Sequence, residues 1–322
     1  MPVFRLKWDE AAPGEVRGAL LTVGNFDGVH RGHAALLARL RAHAADLGCP
    51  AVAVTFDPHP LLLLHPESYQ PTLTTPSERA RLLEECGADH VIILRTEPGL
   101  LKLSAADFFE RVLCGTLQAR GLVEGPNFGF GRNREGTVET LARFCTRAGL
   151  VLEIVPPLTM DGGVVSSSRV RRALLAGDVA SAARWLGRPY RLAGVVSAGQ
   201  RRGQTLGFPT ANLTQIATVI PGDGVYAVRA WLPSATPARG SEQRWRPAAA
   251  NIGPNPTFGE QARKVEVHLL DFQGDLYGRT LAVDFLAKLR ETQPFDSVDH
   301  LLAQIRADVA KVRALINAAP SP

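Results

Sequence analysis

Residues 24–33 read GNFDGVHRGH, three glycines, an aspartate and two histidines within ten positions, directly after the apolar run Ala19–Val23. Gly24, Asn25, Phe26, Asp27 and Gly28 would carry the chain out of a strand, with a helix beginning near Gly32. Glycines let a backbone approach a phosphate closely, and a helix start offers free N–H groups and the positive end of the helix dipole. His30 and His33 are spaced i, i+3, so both rings can face one side of the first turn. Imidazoles so placed can donate hydrogen bonds to a polyphosphate and stabilise charge on the transferring and leaving groups. Either histidine alone reads more simply as a surface residue of a capping loop; the whole string in a strand-to-helix turn does not.

Three further segments of the first half carry polar or aromatic groups at strand ends. TFDPHP, residues 55–60, brings Phe56 and His59 to the end of a second apolar run. GPNFGFG, residues 125–131, follows another; its Phe128 and Phe130 suit either a flat apolar ring site or packing within the loop. Ser166, Ser167 and Ser168 precede a helix-like run, where serine is first of all an N-cap. The accompanying Arg169 and Arg171 favour a second phosphate-binding turn.

The second half holds a different set. GQRRGQTLGFPTAN, from Gly199 through Gly203 and Gly207 to Asn212, is glycine-rich and basic but lacks the Gly-Lys-Ser/Thr ending of a Walker A loop. Thr210 and Asn212 share a face in an extended strand, and their oxygens would suit Mg²⁺ together with ATP phosphates and water. VEVHLLD, residues 265–271, alternates so that Glu266, His268 and Leu270 share a face. A glutamate on the inner face of a barrel is costly unless partnered or functional, and Glu266 is expected there. As a general base it could accept the proton of a primary alcohol attacking a γ-phosphate. The plainer readings are a hairpin with an ordinary polar face for Thr210 and Asn212, and an exposed strand face for Glu266; the neighbouring motifs weigh against the second.

These residues need a scaffold. The pattern predicts strands over Ala19–Val23, Ala51–Phe56, His90–Leu94, Gly121–Glu124 and Val151–Val155, with helices near His33–Leu47, Ser77–Cys86, Ala105–Leu113 and Thr137–Ala148. Such alternation argues for a doubly wound parallel sheet, with ligands outside the carboxyl ends of its strands. After Arg188 the texture turns to Gly, Pro, Val and Thr, with β-like runs Arg191–Ser197, Gly224–Trp231, Ala248–Ile252, Val265–Asp271 and Leu281–Leu289. These read as an antiparallel barrel followed by an amphipathic helix over Val298–Asn317. The polar stretch Pro233–Arg246 reads as a surface loop. Two domains follow, 1–183 and 184–322.

Taken in order, GNFDGVHRGH, TFDPHP, GPNFGFG and SSSRVRR resemble the adenylyltransferase module of the bacterial bifunctional riboflavin kinase/FMN adenylyltransferase (FAD synthetase) family, whose HxGH signature marks a wider nucleotidyltransferase class. GQTLGFPTANL, GVYAV, NIGPNPTFG, VEVHLLDF and DLYG resemble its riboflavin kinase module. The resemblance spares only the N-terminal dozen residues, the Pro233–Arg246 loop and the tail. It implies that riboflavin is phosphorylated to FMN and FMN adenylylated to FAD with release of pyrophosphate. ATP would be held through His30, His33 and the Ser/Arg turn, and the flavin would lie near Asn127 with Phe56, His59, Phe128 and Phe130 about it. Thr210 and Asn212 would hold Mg²⁺-ATP, and Glu266 would activate the ribityl 5′-hydroxyl. Two departures preserve the chemistry: Ser168 stands where threonine is usual, and Asn127 where many relatives carry aspartate.

Bulk properties narrow the classes. A 45% hydrophobic, 21% charged chain of 322 residues is ordinary for a globular protein, and no window approaches twenty unbroken apolar residues. The N-terminal stretch lacks an apolar signal core. The net charge of +5 is dispersed rather than blocked, which favours small polyphosphates over nucleic acid. Cys49, Cys86, Cys114 and Cys145 form no C-x-x-C pair, so a reducing compartment without disulfides or zinc is expected. A cytoplasmic enzyme, monomeric or weakly homo-oligomeric and without membrane or nucleic-acid partners, fits these properties. A single active module, or a flavin- or RNA-binding protein without catalysis, are the competing readings.

Overall fold

A computed structural model describes residues 3–198, 207–232, 245–255 and 260–318. Contacts divide the chain into two compact units, Met1–Ser167 and Ser168–Pro322.

The first unit is built on six parallel strands: β1 (Val3–Leu6), β2 (Leu20–Val23), β3 (Ala51–Asp57), β4 (His90–Arg95), β5 (Gly121–Glu124) and β6 (Val151–Ile154). Their order is β1-β4-β3-β2-β5-β6. From β2 the chain winds outward through β3 and β4, then crosses to the other side for β5 and β6. The switch point, where an open parallel sheet forms its ligand crevice, therefore lies at the carboxyl ends of β2 and β5. Each central strand is apolar on both faces because helices cover both. On one face α1 (Arg31–Leu47) contributes Leu37, Leu40 and Ala44, and α3 (Pro76–Glu85) contributes Ala80, Leu82 and Leu83, to a core with Ala53 and Val123. On the other, Phe108, Phe109, Val112 and Leu113, with Leu141 and Cys145 of α6 (Val138–Ala148), pack on Leu21, Val54 and Leu122.

Short helices α2 (Pro60–Leu64), α4 (Pro98–Leu101) and α5 (Ala105–Asp107) fill the loops above the sheet. The expected helix over Ala105–Leu113 becomes α5 running into a π-helix, Phe108–Thr116. Glycine left-handed caps, Gly48 after α1 and Gly149 after α6, end two of the longer helices. Strand β1 has no counterpart among the predicted strands; it pairs with β4, Val3↔Val91 through Leu6↔Leu94, at the edge of the sheet. A two-stranded turn, β7 (Thr159–Met160) and β8 (Gly163–Val164), leads to α7 (Ser167–Leu175), at whose start the two units divide.

The second unit opens with the remainder of α7 and α8 (Val179–Leu186). It then forms a closed antiparallel barrel from β9 (Tyr190–Ser197), β10 (Ala211–Thr214), β11 (Gly224–Trp231), β12 (Trp245–Asn255), β13 (Glu260–Leu269) and β14 (Thr280–Arg290). The order β10-β13-β12-β11-β14-β9 closes through β9 and β10, which removes sheet edges. Alternation along β9, β10 and β13 buries Leu192, Val196, Leu213, Val265 and Val267. The final helix α9 (Val298–Ala318) sets Val312 and Ile316 against Ala227 and Leu270. Of the stretch read as a surface loop, Trp245 and Arg246 belong to β12; 233–244 lie outside the described residues.

Candidate active site

The turn after β2 is strained and tightly held. Phe26 and Val29 sit at φ 46° and 41°, values that non-glycine residues, and β-branched ones above all, rarely adopt. Such strain persists only where the surroundings over-determine it. Here the Leu73 and Thr74 N–H groups donate to Asp27 Oδ1 at 2.8 and 3.2 Å, and Gly28 N–H donates to Thr74 Oγ1. Ser167 Oγ donates to the Asp27 carbonyl at 2.8 Å. Thr55 Oγ1 donates to the Asn25 carbonyl and itself accepts from buried Arg79, which also donates to the Phe56 and Thr74 carbonyls. Asp27 thus acts from beneath, as a clasp within the loop.

The clasped turn presents the imidazoles. His30 is the N-cap of α1, and its Nδ1 accepts the His33 N–H at 3.3 Å. A neutral ring accepting through Nδ1 carries its proton on Nε2. The His30 and His33 rings stack with centroids 3.6 Å apart and planes within 16°. Phe26 meets His33 edge-on at 5.2 Å. Gly32 leaves room for the ring: a Cβ there would lie 3.1 Å from the His30 imidazole, a tight contact.

These groups line a cleft of about 560 Å³ at the switch point. One wall carries Gly24, Asn25, Phe26, Asp27, His30, Gly32 and His33, joined by Ser166 and Ser167. The other carries Phe56, Leu61, Leu100, Phe108, Asn127 and Phe128. A polar, amide-rich wall facing an apolar, aromatic one suits a ligand with a polyphosphate and a flat ring.

Not every residue the sequence singled out reaches the cleft. Phe130 stacks behind Phe128 at 5.4 Å and packs with Phe108 and Phe144, so it belongs to the core. His59 is not a lining residue; it caps α2, accepting the Leu61 N–H at 3.2 Å, and lies near Tyr69. Ser168 and Arg171 fall on α7 in the second unit. Leu61, Leu100 and Phe108, which nothing in the sequence marks, do reach the cleft, and so does a charged residue: Glu124, at the end of β5, is buried and accepts the Val23 N–H through Oε1 at 2.7 Å. Burial pushes its carboxyl well above the usual range.

In the barrel the register assembles the second set. Asn212 of β10 stands opposite Glu266 of β13, and Glu266 opposite Asn251 of β12; Ser197 of β9 pairs with Asn212. Directly opposed residues of antiparallel strands share a face. Glu266 is half-buried while its neighbours Val265 and Val267 are fully buried, so the carboxylate is on the outer face, and the expected inner placement is corrected. The apolar residues claim the interior. His268, on the same outer face, meets the Pro209 carbonyl through Nδ1 at 2.8 Å. Thr210 and Gly207 are exposed; Gly199 and Gly203 lie outside the described residues. Among the described residues no group of three His, Cys, Asp or Glu could hold a metal. The Thr210 hydroxyl and Asn212 amide, with Glu266 across from the latter, are nevertheless the hard oxygen donors that Mg²⁺ prefers when phosphates and water complete its shell.

A strained glycine turn bearing two stacked imidazoles at the switch point, opposite an aromatic wall, makes the first unit a nucleotidyltransferase of the HxGH class, here followed by a β-barrel. Residues 12–169 match the FAD synthetase family and residues 186–316 the riboflavin kinase family. The chain is 44% identical over 308 residues to the bifunctional riboflavin kinase/FMN adenylyltransferase of Pseudomonas fluorescens, covering 95% of each. It is 38% identical to that of Escherichia coli K12, covering 94% of this chain and 93% of that one. A crystal structure described as a macrolide-efflux protein from Streptococcus pneumoniae superposes with a TM-score of 0.83 at 32% identity, covering 97% of this chain and 98% of that one. The chain belongs to the bifunctional riboflavin kinase/FMN adenylyltransferase family.

Proposed function

We infer that this chain catalyses two successive steps: riboflavin and ATP give FMN and ADP, and FMN and a second ATP give FAD and pyrophosphate. The observation that carries the reading is that each half presents an assembled reactive set: the stacked His30 and His33 in the first unit's cleft, and the Asn212–Glu266–Asn251 row on the barrel.

In the first unit the FMN phosphate is already an anionic nucleophile near neutral pH, so the site needs alignment and charge stabilisation rather than a base. His30 donates through Nε2, His33 stands beside it, and the free N–H groups at the start of α1 receive the ATP phosphates. Gly24, Asn25, Phe26, Asp27 and Gly32 shape that turn, and Ser166 and Ser167 extend it. The resemblance also assigns ATP binding to Ser168 and Arg171. The flavin ring lies along the Phe56, Asn127 and Phe128 wall.

In the second unit Glu266 takes the proton of the ribityl 5′-hydroxyl as that oxygen attacks the γ-phosphorus and ADP leaves. Thr210 and Asn212 would hold Mg²⁺, which neutralises phosphate charge when bound. The functional boundary falls near 183/184, before β9 begins. Four free, scattered cysteines suit a reducing cytoplasm, and the enzyme acts as a monomer or weak homo-oligomer without nucleic-acid or membrane partners. Among the described residues no helix is long and apolar enough to cross a membrane.

Substituting Glu266 by alanine should stop FMN formation and spare FAD formation from supplied FMN. Substituting His30 by alanine should do the reverse. A crossed result would overturn this division of labour.

A further inference from the structure

Glu124 lies on the floor of the first unit's cleft, and the phosphate chemistry above makes no use of it. The β2–β5 ladder stops at Leu21↔Leu122, whereas β5 stays paired with β6 as far as Glu124↔Ile154. Where β2 and β5 splay to open the cleft, the Val23 N–H is taken by a side chain, Glu124 Oε1, instead of by backbone. Alternation puts Glu124 on the face of Leu122, which also carries Phe56 and Phe128. The residue is 2% exposed and lines the cleft.

Among the described residues no charged group holds its carboxyl ionised: burial raises it, and the Val23 N–H works the other way. Around the cleft stand Asp27 and the histidines of the β2 turn and α1, and Arg134 beyond β5. On β6, Glu153 sits beside Val123 on the opposite face, held by Arg39 and His43.

We propose that Glu124 is a specificity-determining contact for the flavin ring. With Oε1 occupied by Val23, its other oxygen presents an O–H to the cleft and donates to an acceptor on the polar edge of the ring, a carbonyl oxygen or an unprotonated ring nitrogen. This assignment rests on the flavin lying against the aromatic wall, as inferred above. A protonated carboxylic acid in an apolar site is a strong donor, and a site built around one discriminates against rings lacking the matching acceptor.

The test compares E124Q and E124M in the full chain, by adenylyl-transfer kinetics and by titration calorimetry with FMN. Glutamine keeps an acceptor for Val23 and a donor for the ring; methionine keeps bulk with neither. The FMN KM of E124Q should stay within about threefold of wild type, and that of E124M should rise about tenfold or more, with the ATP KM unchanged. Raising the pH through the alkaline range should weaken FMN binding to wild type but not to E124Q, because burial raises only a group that can ionise. The direction follows because loss of the proton removes the donor and leaves a negative charge in the cleft. An unchanged FMN KM in E124M, an equal rise in its ATP KM, or the same pH profile in wild type and E124Q would overturn the assignment. Should E124M misfold, the pH comparison with E124Q decides alone. Failure of wild type to form FAD would instead overturn the reading of the cleft itself.

Discussion

His30 serves two ends that a pair of substitutions separates. Its Nδ1 caps α1 by accepting the His33 N–H, and its Nε2 is the donor assigned to the ATP phosphates. Alanine removes both, together with a ring stacked 3.6 Å from His33. Asparagine retains an acceptor at the position of Nδ1 and is a favoured N-cap, but it carries nothing out to Nε2. Losing an N-cap costs about 1 kcal/mol. That corresponds to a melting shift of about 2–4 °C in a domain of this size. Losing one donor to developing charge costs about 3–4 kcal/mol, or about 10²–10³ in rate. H30A should therefore melt lower than wild type and lose adenylyl transfer, whereas H30N should melt like wild type and lose adenylyl transfer just as fully. The assay is pyrophosphate release from FMN and ATP beside calorimetric melting, with riboflavin phosphorylation measured on the same samples. If H30N retained adenylyl transfer within threefold of wild type, His30 would be a helix cap and nothing more.

Two other expectations concern the scaffold. Arg79, 2% exposed, bonds Thr55 Oγ1 and the Phe56 and Thr74 carbonyls beneath the β2 turn. Because R79L leaves those acceptors and the nearby Asp27 without their buried cation, it should destabilise the first unit by about 3–5 kcal/mol. Differential scanning calorimetry should then show its transition about 10 °C lower, and a shift under 2 °C would contradict the clasp. In the barrel, burial pushes the Tyr226 phenol, which donates to the Gly222 carbonyl, up to about 12. An unfolded tyrosine ionises near 10, so its contribution is complete below that pH and is lost as the pH rises toward 12. Unfolding midpoints should fall over that window in wild type and fall less in Y226F; parallel curves would show that Tyr226 does not govern the loss.

Residues whose type was itself unusual for their position were legible in the sequence. Glycines and paired histidines after an apolar run fixed the HxGH turn, and alternation of apolar runs with helical periods fixed the doubly wound sheet. Phe128 and Phe130 show the limit: two residues apart in one FGF string, they look alike, and only packing against Phe108 and Phe144 sends Phe130 into the core. Strand β1 was missed because its four residues, VFRL, carry no pattern of their own and gain their pairing from β4, nearly ninety residues away. Glu266 was read in the wrong phase, although the apolar Val265 and Val267 on either side of it already named the buried face. Glu124 and Arg79 were invisible for the opposite reason. A lone acid at a strand end and an arginine in a helix are ordinary surface residues until the fold buries them.

The most direct test of the whole account is a product time course. Purified chain, riboflavin and Mg-ATP, with no other enzyme present, should yield FMN first and then FAD as FMN declines, with ADP and pyrophosphate released in step. FMN that accumulates without any FAD, or riboflavin that is never consumed, would contradict the claim that both steps reside in this one chain.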